Sequence, residues 1–246
     1  MWLNLTVFLI LLTISNLAVT VYLHRVLTHR SIRLHRSLEH FFRLALWMLT
    51  PFPPKIWVAV HRYHHKTADS KRDPHSPIHT GFWPIMIKSA IFNIKQNLGT
   101  ALPQIVQLYS KDLKDSKLET FYLNHPYLGK FILLVPVVSL CGVGWGIVIW
   151  LGAISWMHLM EERIHVVLGH YFGYRNFNTN DNSKNIIPWA FFLFGEELHN
   201  NHHAKQNDWS FRSKWYEIDP AAIFIQLCIW LKLAYPLNKN KTSEPL

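Results

Sequence analysis

The stretch His-Arg-Tyr-His-His-Lys at residues 61–66 organises the rest of this chain. Its three histidines, His61, His64 and His65, follow the spacing i, i+3, i+4. On a helix, that spacing projects all three imidazoles from one face. A single histidine of this kind is usually a satisfied polar residue, so the meaning of the stretch depends on what accompanies it.

Two further histidine clusters accompany it. The pattern HxxHH returns at residues 199–203, where it is formed by His199, His202 and His203, and the pair His24 and His29 lies ahead of both in HRVLTH. Neutral imidazole is a good ligand for iron, copper or zinc. Three clusters, each beside an apolar stretch, therefore predict a polynuclear metal site.

The composition is that of a membrane protein. Half of the 246 residues are hydrophobic and 16% are charged, against roughly 25% charged in soluble domains. The net charge is +10, but the Lys and Arg residues flank apolar segments, which fits anionic lipid headgroups and makes nucleic-acid binding the weakest reading. Cys141 and Cys228 lie in apolar runs and predict buried thiols, with neither a disulfide framework nor a cysteine metal site.

Apolar runs and their flanking charges predict the topology. Residues 1–23 contain no Lys or Arg and are long enough to span a bilayer, whereas basic residues follow directly, which places the C-terminal end of this span in the cytoplasm. If His29 and His61 belong to one site, they lie on the same side of the membrane, so the chain between them cannot cross the bilayer an odd number of times. Residues 38–60 are therefore expected to form an interfacial or buried helix broken at its prolines. By the same argument, residues 125–168 form a two-span hairpin.

The predicted fold is all-α: an integral membrane protein with about three to four transmembrane helices and a cytoplasmic helical cap that holds a di-metal site. Amphipathic helices near 84–97 and 103–117 belong to the cap, and an apolar run at 221–235 forms an interfacial helix. We expect one domain over residues 1–237 and a disordered tail at 238–246.

Nine histidines are candidate ligands. Eight come from the clusters and the ninth, which stands before a Gly-rich turn, has weaker local support: His24, His29, His61, His64, His65, His199, His202, His203 and His170. One metal takes four to six ligands, so the set suits two metals with open positions, and an open site argues for catalysis. Few carboxylates accompany the clusters. An all-nitrogen metal site beside a hydrophobic pocket favours an enzyme that oxidises an apolar substrate with O₂. The remaining histidines are expected to have surface, interface or capping roles.

Four motifs in order resemble the membrane fatty-acid desaturases of the acyl-CoA (stearoyl-CoA) Δ9 branch, and most closely its short bacterial members. They are HRVLTHRS, HRYHHK with DPHSP shortly after it, GHYFGYRNF and GEELHNNHH. The resemblance covers most of residues 20–235. It implies that two iron ions are held by the nine histidines, with zinc as a substitute in a purified sample.

The resemblance also implies the activity and the partners. The iron pair activates O₂ and removes two hydrogens from a long acyl chain, carried by CoA or by phospholipid, to form a cis double bond at Δ9. Electrons come one at a time from a ferredoxin- or cytochrome-type donor with its reductase. The expected location is the bacterial inner membrane, with the active site on the cytoplasmic side.

One position departs from the family pattern. The family usually has Asn four residues before the lone histidine, where it contacts the metal through water, but this chain has Val166. Glu162 lies one turn before Val166 on the helix face of His170, and His165 adjoins that face. We hypothesise that Glu162 or His165 replaces the missing polar contact; an ordinary charged helix end is the alternative.

Two other functions remain open at this stage. Related histidine motifs serve membrane hydroxylases and carotenoid-type oxygenases, which would give hydroxylated products. A metal transporter would instead place histidines or carboxylates within its spans, whereas here the paired histidines fall at the predicted cytoplasmic ends.

Overall fold

A computed structural model describes residues 1–88, 94–95, 97–114 and 116–237, with Glu162 by its backbone alone. The predicted tail at 238–246, and part of the predicted helix at 84–97, lie outside these residues. The described chain is mostly helical, with little sheet. Its elements are α1 (Trp2–Leu17) with a π-helical continuation (Ala18–Thr28), β1 (Ile32–Leu34), α2 (Arg36–Leu49), α3 (Pro54–Thr67), α4 (Pro77–Thr80), α5 (Phe82–Lys88), a 3₁₀ turn (Gly99–Ala101), α6 (Leu102–Tyr109), α7 (Lys117–Asn124), α8 (Leu128–Cys141), α9 (Val143–Leu159) with a π-helical segment (Met160–His165) leading into α10 (Val166–Tyr171), α11 (His199–Ala204), α12 (Pro220–Trp230) and β2 (Ala234–Pro236).

Two continuous helices are long and apolar enough to cross a membrane, Trp2–Thr28 and Val143–Tyr171. The pair α7 and α8 passes the same criterion together but bends by 79°, so the described chain has two or three candidate spans, fewer than the upper limit of four expected from the sequence. Large apolar side chains are exposed along α1, α8 and α9. Large apolar side chains exposed in this number along long helices are typical of contact with lipid.

The predicted hairpin is formed by α8 and α9, which meet at Gly142. This glycine has φ +77°, a conformation that side chains disfavour, and it turns the chain between the helices. At Gly146, an added Cβ would lie 2.6 Å from the Cα of Val138. Glycine therefore allows the two helix backbones to approach closely.

The prolines end one helix and begin the next, as the sequence predicted. α2 ends at Leu49, Thr50 is extended, and Pro54 is the first residue of α3. Proline suits that first position because a backbone N–H, which proline lacks, would have no partner within the helix there. Because of this break, α3, which carries the HRYHHK histidines, does not continue the axis of α2.

A π-helical segment corrects the expected geometry of the first histidine cluster. On an α-helix, residues five apart point about 140° away from each other. Here the backbone N–H of His29 donates to the carbonyl of His24 at 3.0 Å, the i→i+5 bond of a π-helix. The ring centroids of the two histidines lie 4.8 Å apart. The wider turn thus brings both imidazoles to one side.

A short antiparallel sheet fastens the end of the described chain to the segment after His29. β1 pairs with β2, with Arg33 opposite Tyr235. The apolar α12, shorter than a span, leads into β2 and packs its buried face into the same core as the π-helical segment.

Candidate metal centre

The structure gathers all nine predicted histidines into two adjacent groups. The first consists of His24, His29, His61, His65 and His202, and the second of His64, His170, His199 and His203. Within each group, one nitrogen from every imidazole lies within 4.8 Å of all the others. The groups adjoin, since the rings of His65 and His203 have centroids 4.4 Å apart. We call them the five-histidine group and the four-histidine group.

Four elements supply these side chains. The first candidate span and the residue after it supply His24 and His29, whereas the second candidate span supplies His170 at its C-terminal end. The helices α3 and α11 carry the two HxxHH clusters. Both candidate spans therefore bring their C-terminal ends to the same side of the molecule, as the sequence argument required.

The inward nitrogens converge in a way that suits a cation. The Nε2 atoms of His24 and His202 are 3.0 Å apart, and those of His65 and His61 are 2.9 Å apart. In the other group, the Nε2 atoms of His199 and His170 are 3.0 Å apart. Two imidazole nitrogens at this distance share at most one proton, so nitrogen lone pairs face and repel one another. Metal ions bound between the nitrogens would remove this repulsion between lone pairs.

Burial also keeps these imidazoles neutral. It lowers the pKa of His29, His61, His65 and His202 well below the usual value, with neighbouring histidines adding to the effect. Burial likewise lowers the pKa of His203 to about 4. Neutral imidazole is the form that binds metals, so these five histidines favour metal binding at neutral pH.

Four carboxylates lie against outward nitrogens, more than the sequence had indicated: those of Asp69, Asp73 and Asp181 hydrogen-bond to histidine, and that of Glu196 is in ion-pair contact with His24. The Nδ1–carboxylate distances are 2.7 Å for His24–Glu196, 2.8 Å for His64–Asp73, 2.9 Å for His170–Asp69 and 2.9 Å for His203–Asp181. A carboxylate on Nδ1 fixes the tautomer, so that Nε2 is left free for the metal. Glu196 and Asp73 stand beside the histidine motifs, but nothing local in the sequence singles out Asp181.

Asp69 and Asp73 favour the charged form although they are buried, whereas burial raises the pKa of Glu196. Burial acts to raise the pKa of Asp69 and Asp73, but hydrogen bonds and charge from His170 and His64 outweigh it, so that both pKa values fall below the usual range. The anionic oxygens therefore face imidazoles of two kinds: most have a lowered pKa, whereas the charge and hydrogen bond of Asp73 outweigh burial and raise the pKa of His64.

The arginines of the histidine motifs fix the elements against one another. Arg25 is completely buried, and its guanidinium donates to Glu196 at 3.2 Å and to Asp219 at 2.9 Å. Arg62 donates to the carbonyls of Leu27 and Thr28 at 2.7 and 2.8 Å, just ahead of His29. The two side chains thus lock the end of the first candidate span onto the rest of the site.

His165 is one of the two residues proposed to replace the polar contact that Val166 cannot make, and the structure shows what its side chain contacts. His165 is buried, with Nδ1 3.2 Å from the Glu161 carboxylate and Nε2 2.9 Å from the carbonyl of Glu196. Its ring meets His199 edge to face, with centroids 4.7 Å apart. The side chain of Glu162 lies outside the described residues. His165 therefore adjoins the four-histidine group through its ring contact with His199 and the five-histidine group through Glu196, which lies against His24.

An apolar cavity of about 230 Å³ adjoins the metal site. His61, Glu161 and Val166 line it together with Trp57 and other apolar side chains. His75, for which the sequence predicted no metal role, also lines it and stacks on His64 with ring centroids 4.4 Å apart. The cavity therefore places apolar side chains directly beside His61, a candidate metal ligand.

Together, the fold and site define a class: a helical membrane-type protein with two adjoining all-histidine metal-binding groups beside an apolar cavity. Comparison with known proteins identifies the family. The family model described as "Fatty acid desaturase" matches residues 1–223, and the chain belongs to this family.

The relatives it matches are desaturases. It is 31% identical over 255 residues to Delta-9 acyl-lipid desaturase 1 of Arabidopsis thaliana, an alignment covering 99% of this chain and 78% of the relative. It is 30% identical over 226 residues to sn-1 stearoyl-lipid 9-desaturase of Anabaena variabilis, covering 89% and 78%. A third relative, Acyl-CoA 5-desaturase AL21 of Anemone leveillei, is 32% identical over 245 residues, covering 95% and 70%. The family assignment is that expected from the histidine motifs, and it makes the protein an oxidoreductase of lipid metabolism.

Proposed function

We propose that this protein is a membrane acyl-lipid desaturase that uses O₂ and two electrons to introduce a cis double bond, at Δ9, into a long acyl chain. The observation that carries the proposal is the division of nine histidines into groups of five and four. Two adjoining groups suit a pair of iron ions, which when bound supply the activation of O₂. Zinc fits the same ligands and is a substitute in a purified sample.

The protein's own contribution is to position the chain and exclude water. The 230 Å³ cavity beside His61 suits a stretch of methylenes, and a second apolar cavity of about 510 Å³ shares Pro51, Phe52 and Pro53 with it. An unactivated chain offers many equivalent C–H bonds, so the position of the double bond depends on which methylenes are held at the metals.

The acyl carrier is proposed from the relatives. The names of two of them specify acyl-lipid or stearoyl-lipid substrates, which favours a glycerolipid, whereas one relative acts on acyl-CoA. The acyl-CoA type expected from the sequence is thus the second candidate. Phospholipid and acyl-CoA offered separately to the purified enzyme, with a ferredoxin- or cytochrome-type donor and its reductase, distinguish the two.

We also propose the topology. Helices Trp2–Thr28 and Val143–Tyr171, with the bent pair α7–α8 as a third span, cross the bilayer, and the histidine groups lie on the cytoplasmic side of a bacterial inner membrane. Arg30, Arg33 and Arg36 follow the first span, which supports this orientation by the positive-inside rule. One domain over residues 1–237 fits the single site that its elements share.

The deciding experiment is lipid profiling by mass spectrometry of cells expressing the wild type, His64→Ala or His40→Ala. New monounsaturated chains are expected with the wild type and with His40→Ala, an exposed histidine outside both groups, and none with His64→Ala. Hydroxylated products would instead support the oxygenase alternative. Unchanged lipids with all three, given a competent electron donor, would contradict the proposal.

A further inference from the structure

The two histidine groups differ in what holds their outward nitrogens. In the four-histidine group, three of the four Nδ1 atoms lie 2.8–2.9 Å from an aspartate oxygen; the aspartates are Asp69, Asp73 and Asp181. In the five-histidine group, within the part of the chain that the structure describes, a carboxylate lies against one imidazole alone, that of His24, through Glu196 at 2.7 Å.

The charges of these carboxylates are also balanced differently. Asp181 accepts its other hydrogen bonds from the backbone and hydroxyl groups of Ser183 and from Thr179. Asp69 accepts from the Ser76 hydroxyl and the Asn182 backbone N–H. Asp73 accepts from the backbone N–H groups of Asp69 and His75. Apart from the histidines themselves, all of these donors are neutral, so no cation pairs with the carboxylates of the three aspartates.

Glu196, in contrast, is neutralised. Arg25 donates to its carboxylate at 3.2 Å, and both side chains are buried. The five-histidine group thus faces an ion pair and the buried Glu161, which is itself paired with His165, whereas the four-histidine group faces three aspartates. In a buried site this difference is strong, because charges interact far more there than in water.

We propose that the two metal positions are electronically unequal, and that Asp69, Asp73 and Asp181 make the four-histidine group the position that stabilises the more oxidised ion. This inference rests on the proposed function. A carboxylate that accepts the Nδ1 proton raises the basicity of the imidazole and orients it. Three such imidazoles would favour a higher charge on an ion bound there, so the ion in the five-histidine group would be the easier of the two to reduce.

The proposal assigns a function to the Asn-rich loop at residues 176–185. The loop carries Asp181 to His203, and its Asn182 backbone N–H donates to Asp69, the carboxylate that holds His170. The side chain of Asn200, beside His199, accepts two backbone N–H bonds from the start of the loop. The loop therefore positions two of the aspartates of the four-histidine group, while its ends hydrogen-bond Asn201, which adjoins His202.

The first test is a titration of the full-length, metal-free protein in detergent with Co²⁺, followed by visible absorption. Two binding events are expected. Asp73→Asn and Asp181→Asn should weaken the same event by roughly 10- to 100-fold, the usual cost of losing such a partner, whereas Glu196→Gln should weaken the other. Asp181→Glu should restore part of the loss. Glu119→Gln is the control, because Glu119 caps α7 and pairs with Arg43 and contacts neither histidine group.

The second test assigns the oxidation states. Mössbauer spectra of ⁵⁷Fe-loaded enzyme reduced by one electron are expected to show one ferric and one ferrous ion, and the ferric signal should be the one that Asp181→Asn alters. The proposal is overturned if Glu196→Gln alters the ferric signal instead, or if the aspartate and glutamate variants affect the same ion. If Asp73→Asn fails to fold, Asp181→Asn in the loop decides alone. Two unequal ions in an enzyme that forms no double bond would refute the proposed function but not this inference.

Discussion

Replacing Arg25 with Met is expected to destabilise the protein severely. Arg25 has no exposed surface and donates to Glu196 and Asp219 at 3.2 and 2.9 Å, while its guanidinium carbon lies 3.7 Å above the ring centroid of Phe211. Methionine retains most of the apolar volume but leaves two buried carboxylates without a cation. Breaking a buried ion pair in this way costs about 3–5 kcal/mol.

That loss is large enough to measure by heating. For a chain of this size, a change of 1 kcal/mol moves the unfolding midpoint by about 2–4 °C, so a decrease of about 6–20 °C is expected for Arg25→Met. The assay is thermal unfolding of the metal-free protein in detergent, followed by circular dichroism. Arg25→Lys, which keeps the charge but loses the forked geometry, should lose less.

The cost should also depend on pH. Burial raises the pKa of both Glu196 and Asp219, although Arg25 opposes this. Without the arginine, each carboxylate gains a proton more readily in the folded protein than in the unfolded chain. The deficit of Arg25→Met relative to wild type is therefore smaller at pH 5 than at pH 8.

A double variant tests the cause. Adding Asp219→Asn to Arg25→Met removes one of the two unpaired charges, so the pair should lose less than the sum of the single variants. A midpoint lowered by under about 2 °C in Arg25→Met, or strictly additive losses in the double variant, would show that the ion pairs contribute little.

Three further outcomes are expected. Gly173→Ala should lower the unfolding midpoint sharply, because Gly173 has φ +120° and a Cβ there would collide with a loop carbonyl, whereas Gly144→Ala, with open space around it, should not. Metal-free protein should lose stability as pH falls below about 6.5. Burial lowers the pKa of His75 to about 3 and of His203 to about 4, so both bind protons more readily in the unfolded chain than in the folded protein. A free energy of unfolding, measured with denaturant, that stays constant between pH 7 and pH 5 would contradict this. Arg62→Gln should weaken Co²⁺ binding at the five-histidine group, by loosening the end of the first candidate span, while leaving the other event unchanged; equal weakening of both would rule out this local effect.

Much of the candidate site follows from the sequence because its signals are local. The i, i+3, i+4 spacing within α3 and α11 fixes which imidazoles share a helix face. The run of prolines forces the break between α2 and α3, and apolar length identifies the two candidate spans. A requirement that all clusters meet then limits how the chain can cross the membrane.

The tertiary structure alone decided the rest. Hydrogen bonds between distant residues, such as that from His170 to Asp69 across 101 positions, leave no periodic trace in a sequence. The division of the histidines into five and four depends on such contacts, as does the discovery of Asp181 in a polar loop. Even the pair His24 and His29, whose spacing is written in the sequence, shares one group because the helix widens into a π-helix there. Packing against the rest of the fold, and not the local preference of those residues, sets that winding.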